Sequence, residues 1–113
     1  VTCYDPDAPT GSGFWHWVAI NIPPDVTELA LGAGSAGGAL PSGTLQTRTD
    51  FGAPGYGGPC PPEGDHPHRY LFTVHAVGTD KLSATADTSA AVIGFQLHFN
   101  TLAKAAIMGL FKR

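Results

Sequence analysis

Acidic and imidazole side chains concentrate in two segments that could together form one site. In the first, Asp5 and Asp7 lie in a proline-stiffened turn, and His16 follows inside an aromatic run. In the second, a stretch rich in glycine and proline ends at His68 and Tyr70. Carboxylates and imidazoles can act as acid–base groups or as ligands of zinc and harder metals. The residue types alone therefore allow binding, metal-assisted catalysis or a purely structural role.

The structural interpretation is simple for each of these residues. Asp5 and Asp7 could accept hydrogen bonds from the amides of their own turn. His16 stands between Trp15 and Trp17 and could be a hydrogen-bonded core histidine. His66 is interpreted as an exposed loop residue, and His75 and His98 are interpreted as structural residues.

Short strands are expected to position both segments. Residues 1–4 and 14–22 are rich in β-branched and aromatic side chains, and Pro23-Pro24 ends the second run. Residues 69–77 form the clearest strand, and residues 45–49 favour a shorter one. The intervening residues 24–43 and 50–67 are predicted to be loops, and a loop as long as the second is usually functional when ordered.

One helix is predicted near the end of the chain. Thr88 or Ser89 is expected to cap it. An apolar stripe at spacings of three and four follows, formed by Val92, Phe95, Phe99 and Leu102. We expect the helix to break near Leu102 and a last strand to run through Ile107. Large aromatic residues, including Phe95 and Phe99, are expected in the core.

Composition restricts the class of protein. The 113 residues suffice for one domain, and 42% hydrophobic with 13% charged residues can bury a core. Fifteen glycines and ten prolines favour turns between strands over helices. A net charge of −3 with six scattered basic residues argues against nucleic-acid binding. Cys3 and Cys60 fit either free thiols or one bridge.

The two polar segments together resemble the two-part motif of the phosphatidylethanolamine-binding proteins. The chain carries DPDAP at residues 5–9, a histidine at position 16, and a Gly/Pro loop that closes in HRY at residues 68–70. The strings FWHWVAINIP and TRTDFGAPGYGG are especially similar to the bacterial, Raf-kinase-inhibitor-like branch. The similarity spans nearly all of the chain.

This resemblance implies a fold and a site. The fold is mainly β, with two packed antiparallel sheets (a Greek-key β-sandwich) and one or two peripheral helices. It forms a single domain over residues 1–113, with the family's first strands expected before Val1. The implied site is a non-catalytic pocket without a cofactor, lined by Asp5, Asp7, Pro9, His16, Pro62, His68 and Tyr70, with Gly58 near its mouth. Cys60 departs from the family pattern, which often has glycine there.

The implied ligand is a small anionic, phosphate-like headgroup of the phosphatidylethanolamine type. A bare carboxylate repels phosphate, so Asp5 or Asp7 is expected to accept from His16 or His68 and to raise the pKa of that histidine. Charged imidazoles, backbone N–H groups and the hydroxyl of Tyr70 would then hold the anion. An ammonium group could instead contact a spare carboxylate.

Two other functions compete with this one. A metal-assisted hydrolase or lyase would use Asp5, Asp7, His16 and His68, and it requires two imidazole nitrogens and a carboxylate to converge on one point. An interaction protein with a vestigial pocket would use loops 24–43 and 50–67, whereas the binding module itself could regulate protein partners such as kinases or proteases.

Two remaining features of the sequence carry little functional weight. The GxGxxG string at residues 32–37 lacks the flanking strand and helix of a nucleotide site. No signal peptide and no apolar run of about 18 residues is visible, which predicts a cytoplasmic protein without a membrane span. Because the chain opens inside a predicted strand, we expect a preceding segment, and an exported form stays open.

Overall fold

The computed structural model describes every residue from Val1 to Arg113, and it is mainly β with one helix. Five antiparallel strands form one sheet in the order β3-β2-β1-β4-β5. In chain order the elements are β1 (Thr2–Asp5), β2 (Phe14–Ile20), β3 (Leu45–Gln46), β4 (His68–Val77), α1 (Ala90–Asn100) and β5 (Thr101–Phe111). The helix is 11 residues long, which is too short to cross a membrane.

The strands lie where the sequence predicts them, with shifted ends. β3 is only two residues long, and β5 continues to Phe111 instead of ending at Ile107 because it pairs with β4 along the whole of that strand. Each strand is hydrogen-bonded to its neighbour in a single sheet, so the predicted sandwich of two packed sheets is not confirmed.

The core lies on both faces of β2 because side chains alternate along a strand. Val18 and Ile20 pack against α1, whereas Trp17 and Ala19 form a second cluster. That second cluster also contains Cys3 from β1 and Tyr70 from β4. The sheet therefore has the helix on one face and irregular loops on the other.

The helix begins at the predicted residue but buries a different apolar stripe from the predicted one. The side chain of Ser89 caps it by accepting from the backbone N–H of Val92 at 3.3 Å. Ala90, Ile93 and Leu97 face the core at the same spacing as the predicted stripe. The predicted stripe is exposed, with Val92 48%, Phe95 67%, Phe99 70% and Leu102 78% accessible. The expectation that Phe95 and Phe99 lie in the core is therefore wrong.

Strand order brings the two polar segments to one end of the sheet. β1 lies between β2 and β4 and is antiparallel to both, so its last residue lies beside their first residues. Asp5 pairs with Phe14 at the start of β2, and Tyr4 pairs with Leu71 near the start of β4. His16, His68 and Tyr70 therefore lie close to Asp5.

Candidate functional site

Asp5 joins the first loop to the start of β4. One carboxylate oxygen accepts from the backbone N–H groups of Asp7 at 2.8 Å and Ala8 at 3.1 Å, which closes the turn. The other oxygen accepts from Nδ1 of His68 at 2.7 Å, and both side chains are buried. Asp5 therefore has both roles that the sequence suggested, as a turn residue and as the orienter of an imidazole.

His68 lies between two carboxylates. Its Nε2 donates to Asp65 at 2.9 Å while Nδ1 donates to Asp5. Burial disfavours the charged imidazolium, but the hydrogen bonds to Asp65 and Asp5 outweigh it and raise the pKa of His68. The hydrogen bond from His68 to Asp65 also lowers the pKa of Asp65. With both nitrogens engaged, His68 has no ring N–H left for a ligand.

Asp7 faces Arg69 and not a histidine. Its carboxylate accepts from Nε and Nη2 of Arg69 at 2.9 and 2.8 Å and from the backbone N–H of Arg69 at 2.8 Å. This fork of hydrogen bonds holds the pKa of Asp7 well below its usual range. The pair fastens the first loop to β4.

His16 is held by a carbonyl. Its Nδ1 donates to the backbone oxygen of Gly58 at 2.6 Å, and its own backbone oxygen accepts from Gly57 at 3.1 Å. Burial lowers the pKa of His16, and the carbonyl of Gly58 and the charge of Asp5 offset this only in part. The expected arrangement, in which a carboxylate accepts from a histidine and raises its pKa, is therefore found at His68 and not at His16. Near neutral pH the ring is uncharged, and its Nε2 is a hydrogen-bond acceptor.

Aromatic rings surround His16. The ring centroids of Phe14, Phe51 and Tyr70 lie 5.0, 5.3 and 5.2 Å from that of His16. Sequence reasoning did not assign Phe14 or Phe51 to the site. The available indication was that Phe14 lies two residues before His16 and that Phe51 lies within the string TRTDFGAPGYGG.

Tyr70 carries the unpaired polar group of this cluster. Tyr70 is 3% exposed, and its hydroxyl makes no hydrogen bond of good geometry, although the backbone of Cys60 and the carboxylate of Asp5 lie close to it. Burial, with a smaller effect of the Asp5 charge, raises the pKa of Tyr70 to about 12, so the hydroxyl stays a donor. In the adjacent loop, the backbone N–H group of Gly58 donates no hydrogen bond within the chain, whereas the backbone of Cys60 approaches Tyr70 and partly offsets the rise in its pKa.

Pro9 and Pro62 lie at the margin. Both are exposed turn residues. The carbonyl of Pro62 accepts from the N–H of Asp65 at 3.2 Å, which positions the second carboxylate of His68. Sequence reasoning did not assign a role to Asp65; its place three residues before His68 was the only hint. Cys60 is exposed, Cys3 is buried, and the two thiols are free.

A cavity of about 740 Å³ lies at the opposite end of the sheet. Its lining comes from the end of β2, the following loop and the end of β4, including Ile20, Val26, Leu29, Val77 and Leu82. None of the predicted site residues lines it.

The fold is mainly β, and the polar cluster of Asp5, His16, His68 and Tyr70 lies at one end of its sheet. A family model described as phosphatidylethanolamine-binding protein matches residues 1–112. The chain belongs to this family.

Bacterial relatives support the assignment. The chain is 54% identical over 111 residues to the protein YbhB of Escherichia coli, covering 98% of this chain and 70% of that protein. It is 50% identical over 113 residues to Escherichia coli YbcL, covering 99% of this chain and 62% of YbcL. The chain thus spans less than two thirds of YbcL.

Solved structures show the same fold. The crystal structure of Escherichia coli YbcL, described as a new member of the mammalian family, matches with a TM-score of 0.95 at 49% identity and covers 99% of this chain and 69% of that one. A homologue from Chlamydia trachomatis matches with a TM-score of 0.78 at 27% identity and the same coverage.

Proposed function

We propose that this chain is a non-catalytic binding module for a small anionic, phosphate-like headgroup. The pocket would lie beside His16 and Tyr70, between the loop at residues 5–9 and the loop at residues 57–62. Family membership supports a ligand-binding module, and the geometry of the cluster suggests the charge of the ligand.

The observation that carries the proposal is the buried, unpaired hydroxyl of Tyr70. Leaving such a group without a partner costs about 1–3 kcal/mol, which an oxygen of a bound anion would recover. The N–H group of Gly58, which bonds nothing within the chain, adds a donor from the adjacent loop. Uncharged donors favour an acceptor-rich ligand such as phosphate.

The roles of the two histidines differ from those expected. His68 orders the loops, because Asp5 and Asp65 occupy both of its nitrogens. His16 would contact the ligand through Nε2, which accepts from a protonated phosphate oxygen or takes up a proton itself. Both oxygens of Asp5 already accept hydrogen bonds from backbone amides or His68, and the side chain is 2% exposed, so an ammonium group has little access to this carboxylate.

A titration of histidine-labelled protein followed by NMR tests this proposal. Inorganic phosphate and phosphoethanolamine, added in the presence of EDTA, should shift the His16 imidazole resonances and leave exposed His98 unmoved. A response to phosphoethanolamine alone would assign the site to the headgroup, whereas equal responses would assign it to phosphate in general. Unmoved His16 resonances with both compounds would contradict the proposal.

The hydrolase alternative receives no support from the geometry. Asp5 and Asp7 already accept several hydrogen bonds each, and His16 Nδ1 bonds a backbone carbonyl. The ligand atoms of these three residues are therefore directed at partners within the chain, and the side chains that could meet at a metal include His68 but none of the three.

Regulation of a kinase or protease, a two-sheet sandwich and a cytoplasmic location stay predictions. For the sandwich, a row of exposed apolar side chains on β5 gives support, because such a row is normally covered. For regulation, substitutions at Tyr70 that abolish anion binding but leave a partner bound would assign the partner to the loops.

A further inference from the structure

Three metal-ligating side chains meet where the second loop enters β4, on the side of His68 that faces away from Asp5. They are Asp65, His66 and His68, and one ligand atom of each lies within 4.8 Å of the others. The side chain of Asp65 is 32% exposed and that of His66 is 63% exposed, so this side is open to solvent.

Both histidines are already oriented as metal ligands usually are. Nδ1 of His68 donates to the buried carboxylate of Asp5, and Nδ1 of His66 donates to the carbonyl of Pro67 at 2.9 Å. A carboxylate or carbonyl partner on one nitrogen fixes the tautomer and directs the other nitrogen to the metal. In both rings an ion would bind Nε2, which in His68 now donates to Asp65.

The distances require small movements. Asp65 is 2.9 Å from Nε2 of His68 through one oxygen and 4.0 Å from Nε2 of His66 through the other. Ligand atoms of a tetrahedral zinc ion lie about 3.4 Å apart, given metal–ligand distances of 2.0–2.2 Å. The Asp65–His68 pair must open by about 0.5 Å, and the His66 nitrogen must approach by up to about 1.4 Å, because one ligand atom of each residue lies within 4.8 Å of the others. The exposed side chain of His66 can make the second movement by rotation.

We propose that Asp65, His66 and His68 bind a zinc-like divalent cation, with solvent completing the coordination. Two imidazoles and one carboxylate suit zinc and neighbouring transition metals more than calcium or magnesium, which prefer oxygen ligands. Asp5 acts as the positioning residue, because it holds the ring of His68. The cation takes the place of the proton between His68 and Asp65, so this site is distinct from the anion pocket beside His16.

Zinc affinity of the tag-free chain tests the site. Zinc alone is titrated in phosphate-free buffer against a chromophoric chelator, with wild type compared to His66→Ala and to His98→Ala. His66 and His98 are both exposed, so neither substitution should disturb the fold, which circular dichroism checks.

We expect one zinc ion per chain, an affinity reduced at least about tenfold in His66→Ala, and no change in His98→Ala. Zinc should also shift the imidazole resonances of His66 and His68 but not that of His98. Absence of one-to-one binding by wild type, or equal affinities of wild type and His66→Ala, would overturn the assignment.

Discussion

Replacing Asp5 with asparagine should destabilise the folded chain substantially. The substitution keeps an oxygen for the amides of Asp7 and Ala8, so the turn itself is retained. It removes the charge that faces His68 across 2.7 Å in a fully buried position. Removing one partner of a buried ion pair costs about 3–5 kcal/mol. A neutral bond from the new amide to His68 returns about 1 kcal/mol, so we expect a net loss of about 2–4 kcal/mol.

Urea unfolding followed by circular dichroism, with linear extrapolation and EDTA present, measures this loss. The exposed Asp25→Asn is the matched control and should stay within about 0.5 kcal/mol of wild type. The pH dependence provides a second readout. Because the folded-state pKa of His68 is raised, its contribution is complete below the unfolded value of 6.5 and is lost as pH rises through the folded value.

The asparagine variant should therefore lose less stability than wild type as pH rises above 6.5. A loss of unfolding free energy below about 0.5 kcal/mol would mean that Asp5→Asn costs no more than a substitution at an ordinary surface residue. That result would refute the view that the Asp5–His68 pair holds the two loops together.

Three further substitutions test separate parts of the structure. Because the pKa of His16 is lowered in the folded chain, the unfolded chain binds a proton more readily, and wild type should lose stability as pH falls below 6.5. His16→Gln should abolish this loss, which urea midpoints measured from pH 5 to 7 would show. Ile93→Ala should cost about 2–5 kcal/mol and Phe95→Ala less than about 1 kcal/mol, since only Ile93 is buried; equal losses would contradict the observed helix orientation. Gly13→Ala should cost about 1–3 kcal/mol in thermal unfolding, because φ of Gly13 is +71° and the new methyl would lie 2.8 Å from the Asp5 carbonyl oxygen. Gly11→Ala should be nearly neutral, because its new methyl would meet no atom within 4 Å.

The sequence predicted where the helix and strands lie better than it predicted which side of the helix is buried. Aromatic and β-branched residues ended by two prolines located β2, and Ser89 located the start of the helix. The buried side of α1 was predicted wrongly because the helix carries two apolar stripes. Spacing alone cannot tell which stripe faces the sheet. The smaller residues Ala90, Ile93 and Leu97 fit against β2, and the bulky phenylalanines remain outside.

The sequence predicted which residues lie close together better than it predicted their hydrogen-bond partners. The two motifs indicated that Asp5, His16, His68 and Tyr70 belong together, and strand order brings them to one end of the sheet. Which acceptor each histidine meets depends on loop conformation. The carbonyl of Gly58 reaches His16 because that glycine adopts φ +70°, and the turn at Pro62 delivers Asp65 to His68. Neither contact follows from spacing in the chain.

The central claim is that the buried hydroxyl of Tyr70 serves a bound anion. Isothermal titration of inorganic phosphate and phosphoethanolamine into wild type, Tyr70→Phe and the control Tyr4→Phe tests it most directly, because the hydroxyl of Tyr4 already bonds the carbonyl of Ser12. We expect Tyr70→Phe to weaken binding about tenfold or more and Tyr4→Phe to bind like wild type. Equal affinities of wild type and Tyr70→Phe, or no binding by wild type, would contradict the claim.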